Sequence, residues 1–346
     1  MNTIPTTFNE KITPYTAIGG QKRASSSGLS AVILNRQGRC SRRAFLQELE
    51  KTGFDFVLSI ESQSWHYDVE ELAESFPFAR FARPEKEITI GEQINLAASE
   101  IESPLFFVMW NDMRIIAGGT ARRMAERLSV LHEGADGNGE KKSGFKRLCT
   151  VPVIMSPRYE ILPTMTMPLT RRGKMRTASM EPQAEEQLSL YPFDGVGIYD
   201  RGRFIQMGGF DVTLSNAHWQ LMDFGFRSHL WGEKIAFNMQ LKLACEGELP
   251  AEDTSIGESY RRFYLKNIAP KYRDYYARLP FYNFPPFYFK YGDDLPSAWE
   301  AFRECRGWVK RNKSRWERDA RGVARLWDNA PSRDVSSGAA AASGER

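Results

Sequence analysis

The strongest constraint on the fold lies in Ile88–Ile116, ITIGEQINLAASEIESPLFFVMWNDMRII, where an amphipathic run meets a continuous apolar one. Within Glu92–Ile101 the residues Ile94, Ala97, Ala98 and Ile101 recur at three- and four-residue steps. That spacing predicts a helix with one face for docking on a sheet. Pro104 stops it. Leu105–Trp110 has no polar interruption, the pattern of a strand covered on both faces. The strand delivers Asn111 and Asp112 at its carboxyl end, the edge at which open α/β sheets bind ligands. A carboxylate there can hold a cation, and a cation can hold phosphates.

The preceding chain supplies partners for this strand. Leu29–Leu34 reads as a buried strand ending at Asn35 and Arg36, Ser41–Thr52 as a helix, and Phe54–Ile60 as a second strand ending on Glu61. A β-α-β start of this kind implies a parallel pair with a right-handed crossover. A carboxylate at a strand end can accept ribose hydroxyl protons, although Glu61 also fits a loop residue or a helix cap. Phe78–Phe81 is a candidate third strand, Thr120–His132 a helix and Leu148–Met155 a further strand. Gly134–Gly144 reads as a loop, and so does Thr170–Gln187, which carries Arg171, Arg172, Lys174 and Arg176 and could fold over a diphosphate. Residues 1–28 read as a flexible leader and residues 329–346 as a disordered tail.

A second cluster, GGFDVTLSNAHWQLMDFGFRSHLWGEKI, follows strand-like segments at Gly197–Tyr199 and Arg203–Gln206. Gly208 and Gly209 let backbone approach a ligand closely, and Asp211 follows two positions later. From Trp219 to Trp231 the spacing predicts a helix with Leu221, Phe224 and Leu230 inward, and with Asp223 and Arg227 one turn apart as an ion pair. Ser255 or Ser259 can cap the helix holding Tyr260, Phe263 and Tyr264.

With 346 residues the chain can bury a large core, and 42% hydrophobic with 26% charged residues suits a globular protein. A net charge of +4 does not argue for nucleic acid as a partner. Cys40, Cys149, Cys245 and Cys305 have no ligand or disulfide spacing, which points to a reducing cytoplasm. No apolar stretch approaches membrane-spanning length.

These motifs resemble glycosyltransferase family 2, inverting nucleotide-sugar transferases of the GT-A fold. Gly91 and Asn95 match that family's helix motif, and Asp112 the second acid of its strand-end Asp-x-Asp, with Trp110 where the first would stand. Gly208, Gly209, Phe210, Asp211, Asp223, Arg227 and Gly232 match its later turn and helix, with Met222 in place of the usual Glu. The resemblance implies a GT-A-like, Rossmann-type mixed sheet flanked by helices over 29–268, followed by a C-terminal helical extension over 269–328. It implies transfer of a sugar from a nucleoside diphosphate sugar to a hydroxyl of a glycan or lipid-linked acceptor. Asn35, Arg36, Glu61, Gly91, Asn95, Asn111 and Asp112 would face the nucleotide. Gly208, Gly209, Asp211, Arg227 and Trp231 would lie toward acceptor and donor sugar, with Asp223 as general base. Asp112 would be the metal ligand, for Mn2+ or Mg2+. No histidine stands where such enzymes complete the metal shell, so Arg171–Arg176 or Arg261–Arg262 could neutralise the leaving diphosphate instead.

Two rival readings remain: a non-catalytic nucleotide-sugar or glycan binder on the same fold, and, more distantly, a sugar nucleotidyltransferase. Tyr275–Tyr291 is dense in aromatics and suits either packing on the domain or stacking on a sugar. Leu295–Trp327 reads as one long helix in which Phe302, Val309, Trp316 and Val323 recur every seventh position beside a basic face. That stripe fits peripheral contact with an anionic membrane, a partner helix, or the protein's own core.

Overall fold

A computed structural model describes residues 12–20, 27–36, 42–62, 69–133, 146–171, 174–291 and 294–328. The proposed loop at 134–144, the tail at 329–346 and most of the leader lie outside them. The described leader residues include β1 (Tyr15–Gly19), an edge strand where a flexible segment was expected. The first half continues through β2 (Leu29–Leu34), α1 (Arg42–Thr52), β3 (Val57–Ile60), α2 (Val69–Ser75), β4 (Ala79–Pro84), α3 (Ile90–Glu100) and β5 (Leu105–Trp110). It is followed by β6 (Met113–Ala117), α4 (Ala121–Glu133), β7 (Lys146–Met155), β8 (Met165–Arg171) and β9 (Lys174–Met180). The second half contains β10 (Gly197–Asp200), α5 (Arg201–Gln206), α6 (Ala217–Leu230) and β11 (Glu233–Cys245). Four helices follow among the described residues: α7 (Glu258–Phe263), α8 (Phe284–Tyr291), α9 (Leu295–Asn312) and α10 (Ala320–Ala324).

The chain is an α/β protein with a mixed sheet flanked by helices. The nine strands of the main sheet run in the order β1-β4-β3-β2-β5-β10-β7-β11-β6. Strands β4, β3, β2 and β5 are parallel, and β10 enters antiparallel to both β5 and β7. Every residue of β2 and of β5 is buried, as their almost wholly apolar sequences require, and the one polar residue, Ser30, bonds to Ser103. Leu34 pairs with Ile60 on one side and with Trp110 on the other. Three parallel strands therefore end level, and Asn35, Glu61 and Asn111 leave the sheet side by side.

Helix α3 starts with a capping box, in which Thr89 accepts from the Glu92 amide and the Glu92 side chain accepts from the Thr89 amide. Helix α6 differs from the amphipathic helix expected, because all of its residues from His218 to Leu230 are buried. Its Gly225 allows the closest approach, since a Cβ there would stand 2.2 Å from the Leu190 carbonyl oxygen.

The structure corrects four local expectations. Residues 170–171 and 174–180 belong to a hairpin of β8 with β9, not to a loop, with Thr170 paired to Met175 and Arg171 to Lys174. Thr166, Thr170 and Thr177 favour strand, and charge alone does not prevent it. Arg203–Gln206 is helical, because the Asp200 side chain accepts from the Arg203 amide and nucleates α5. Neither Ser255 nor Ser259 caps α7: its N-cap is Gly257, and the Ser259 hydroxyl accepts from the Asn216 amide. The long C-terminal helix is broken into α9, a turn at Lys313–Arg315 and α10, with Trp316 extended and Asp319 capping the restart. Phe302, Val309, Trp316 and Val323 are all buried in the core. The seven-residue stripe thus packs on the protein's own domain. No helix among the described residues is long and apolar enough to cross a membrane.

Candidate functional site

The strand ends gather five of the expected nucleotide-facing residues. Asn35 Nδ2 donates to the Ile60 carbonyl oxygen at 2.6 Å, and it lies 3.3 Å from Glu61 Oε1. Glu61 is 3% exposed, so it is not a solvated loop residue. Its Oε1 accepts from the Ser59 hydroxyl at 2.6 Å and its Oε2 from Arg42 at 3.2 Å. Burial pushes the Glu61 carboxyl up from its ordinary value despite Arg42 and Ser59, which favour the charged form. Asn111 grips the backbone of Arg36 from both sides, its Oδ1 accepting from the amide and its Nδ2 donating to the carbonyl, each at 3.2 Å.

Arg36 is the hub of the cluster. Its guanidinium lies 4.0 Å from the centre of the Trp110 ring, with Nε 3.4 Å from Asp112 and Nη2 bonded to Asp194. Trp110 itself donates from Nε1 to the Asp194 carbonyl at 3.1 Å. Asp194 was not foreseen, and its φ of 52° places a non-glycine residue in the left-handed region, where strain tends to mark functional positions. Burial pushes its carboxyl up to about 6 against the pull of Arg36, and Asp112 adds to the rise.

Two buried oxygens in this cluster, Asn35 Oδ1 and Asp112 Oδ1, have no hydrogen-bond partner among the described residues. Buried polar atoms are seldom left so. A cavity of about 170 Å³ adjoins Asn35, with Glu61, Ser62, Lys86, Glu87 and Gln93 among its other walls. The free Asp112 oxygen is a hard donor suited to Mg2+ or Mn2+. No group of three or more metal-ligating side chains stands with it among the described residues. A cation there would have to complete its shell from ligand phosphates and water.

The remaining motif residues form a second, separate assembly. Gly91 and Asn95, expected to face the nucleotide, bond to Gln220 and to the backbone of Phe210. The Gly91 amide donates to Gln220 Oε1 at 2.9 Å, and a Cβ at Gly91 would collide with Gln220 and Phe210. Asn95 pairs with both backbone groups of Phe210, at 2.8 and 3.0 Å. Gly208 and Gly209, at φ 81° and 61°, shape the turn that this pairing anchors. Arg227 donates to the carbonyls of Met207 and Gly209 at 2.5 and 2.7 Å, and to Asp223 at 3.2 Å.

Asp223 is fully buried. Its Oδ2 faces Arg227, and its Oδ1 accepts from Asn267 at 2.7 Å with Lys266 Nζ at 3.1 Å. A π-type turn, Tyr264–Ile268, brings Lys266 and Asn267 to the same carboxylate. Lys266 also binds Asp211. Burial opposes charge on both groups, yet the pairing wins: Asp211 is held well below the usual carboxylate range and Lys266 is raised. The expected ion pair between Asp223 and Arg227 is present, and the carboxylate is closed off from solvent. Trp231 lies near-parallel to Trp308, with ring centres 5.9 Å apart.

Several participants carried little signal in the sequence. Asp194 sits in a Pro-Phe-Asp-Gly turn that could have marked it, whereas Arg42, Gln220, Lys266 and Asn267 fit no pattern that spacing reveals.

No protein-family model matches this chain, and no curated protein matches it. Solved structures with a similar arrangement include GalNAc-T7 with UDP, GalNAc and Mn2+, at 14% identity and TM-score 0.49, covering 82% of this chain and 56% of that one. S. aureus TarS has a TM-score of 0.45 and 13% identity over 68% of this chain and 38% of its own. The mannosyltransferase PcManGT from Pyrobaculum calidifontis, in complex with GDP-Man and Mn2+, has a TM-score of 0.40 and 10% identity over 81% and 69%. This chain thus spans little more than half of GalNAc-T7 and well under half of TarS. Likenesses this distant leave function to be argued from the site itself.

Proposed function

We propose that this chain is a nucleotide-sugar transferase, with the donor held at the level ends of β2, β3 and β5. One observation carries the reading: Asn35 Oδ1 and Asp112 Oδ1 are buried at the strand ends without partners, and a small cavity opens beside Asn35 and Glu61. In this reading Glu61 and Asn35 hold the nucleoside, Asn111 fixes the Arg36 backbone, and Asp112 and Arg36 lie toward the diphosphate. A divalent cation bound through Asp112 would supply positive charge to the departing diphosphate. Inversion requires a carboxylate to take the proton of an attacking hydroxyl. Asp194, raised to about 6, is poised for that near neutral pH. Asp223, with both oxygens occupied, would act instead by holding the Gly208–Gly209 turn.

The burial of Asp223 also favours a second reading, a nucleotide-sugar binder without turnover. Thermal unfolding with a panel of nucleoside diphosphates, with and without Mn2+ or Mg2+, tests what both share. Ligand at roughly a hundred times its dissociation constant should stabilise by about 2.7 kcal/mol. The nucleoside assignment fails if no nucleotide raises the midpoint. Release of nucleoside diphosphate from a sugar donor then separates the transferase from the binder, and loss of that release in Asp194→Asn with binding retained identifies the base.

A further inference from the structure

We propose that the cleft between the 207–213 turn and helix α9 is a binding site for a phosphorylated saccharide, separate from the strand-end cleft. A cavity of about 720 Å³ opens there, within the roughly 300–1,000 Å³ of small-molecule sites and too large for a lone phosphate. Six basic side chains line it, Arg227, Arg262, Lys266, Arg303, Arg311 and Arg315, against the acids Asp211 and Glu304.

Half of that positive charge is compensated. Lys266 is matched by Asp211 and Asp223, Arg227 by Asp223, and Arg262 by Glu258 and Glu304. Both acids of the lining are thereby engaged. Arg303, Arg311 and Arg315 form no ion pair among the described residues. Burial lowers the Arg315 guanidinium, and the like charge of Arg227 presses it in the same direction, as expected where positive charge lacks a counterion.

The indole wall adds an independent sign. Trp231 Nε1 is a buried donor with no partner, although buried indole N–H groups usually find one. Arg315 lies 4.9 Å from the centre of the same ring. Guanidinium and indole groups donate only. Such a collection of donors suits a multiply charged oxyanion, which guanidinium forks bind in pairs of hydrogen bonds. Thr213, Gln206 and Asn312 line the remaining space and offer partners for the hydroxyls of the sugar carrying that phosphate.

The full chain can be titrated calorimetrically with glucose 6-phosphate, inorganic phosphate and glucose, before and after the double substitution Arg303→Ala/Arg311→Ala. Both arginines are exposed and unpaired, so the variant should keep its unfolding midpoint. Glucose 6-phosphate should bind and glucose should not, and the double variant should weaken binding by about tenfold or more. Saturating UDP should leave the affinity unchanged, since the two clefts share no lining residue. Absence of binding, or indifference to the double substitution, overturns the proposal. Equal affinity for inorganic phosphate removes the saccharide, and competition by UDP moves the anion to the strand-end cleft. The proposal does not depend on the transferase reading, so failure of the nucleotide titration leaves it standing.

Discussion

The strand-end cluster and the network around Asp223 are built from similar residues, yet they end in opposite states. Each joins carboxylates to arginine and asparagine next to a glycine-bearing turn. Around Asp223 both carboxylate oxygens are met from within and the side chain is fully buried. At the strand ends Asn35 Oδ1 and Asp112 Oδ1 are left over, the first of them beside a cavity. Saturation suits a fixed support, and incompleteness suits a ligand. Resemblance of motif does not separate the two, because it reports residue types and order but not which hydrogen bonds are closed.

The sharpest way to break this contrast is Asp223→Ala. Arg227 would lose its carboxylate partner and Lys266 one of its two, which should cost about 3–5 kcal/mol and lower the unfolding midpoint by many degrees. An unchanged midpoint with turnover abolished would return Asp223 to the role of base.

The second prediction uses pH, because the two regions titrate with opposite sign. His229, on the support helix, is lowered to about 4 by burial. The unfolded chain therefore takes up a proton first, and stability falls as pH drops from 6.5 toward 4, by on the order of 3 kcal/mol. Asp194 is raised to about 6 from 3.8. It binds its proton first in the folded state, so its contribution grows as pH falls through that window. The two trends oppose each other in the native chain. Denaturant midpoints measured from pH 7 to 4 should fall more steeply in Asp194→Asn and rise or flatten in His229→Gln. Parallel curves for all three proteins would refute the assigned environments.

A smaller effect is expected from Gly91→Ala. The new Cβ would lie 2.6 Å from both Gln220 and Phe210, an overpacking that typically costs about 1–3 kcal/mol. Chemical denaturation would reveal it, and a neutral result would mean that α3 and the 208–211 turn are more loosely joined than they are drawn. The smallest change in stability belongs to Asp112→Asn, within about 0.5 kcal/mol, because the site keeps its shape. Its effect should emerge only with ligand, as loss of any Mn2+ or Mg2+ dependence in the nucleotide-induced shift. Retained cation dependence would place the metal elsewhere.

Much of the sheet was legible because burial on both faces writes a plain pattern. LSAVIL and LFFVMW could be placed to the residue, and their level ends follow from strand pairing. The pairing of β8 with β9 was hidden because basic residues interrupt its alternation, and the helix at 201–206 because one cap at Asp200 decided it. At the site, the strand-end residues could be read, since topology alone brings them together. The setting of Asp223 could not. It depends on Lys266 and Asn267, more than forty positions away and presented by a widened helical turn that leaves no periodic mark. Asp194 was obscured for a related reason, as its importance comes from a backbone conformation and from Arg36, 158 positions earlier.

The short strand β1 has a consequence for solubility. It pairs antiparallel with β4 along Tyr15–Gly19, four of its five residues are exposed, and Tyr15 is tied to Glu100. Without it, the outer N–H and C=O groups of Ala79–Pro84 would form an open template for a strand from another molecule. The strip that covers them is short and ends in glycine, so it offers little edge for further growth. This peripheral segment acts as a selvage for the sheet: deleting it should leave the fold's centre intact but make the protein prone to assemble through its own margin.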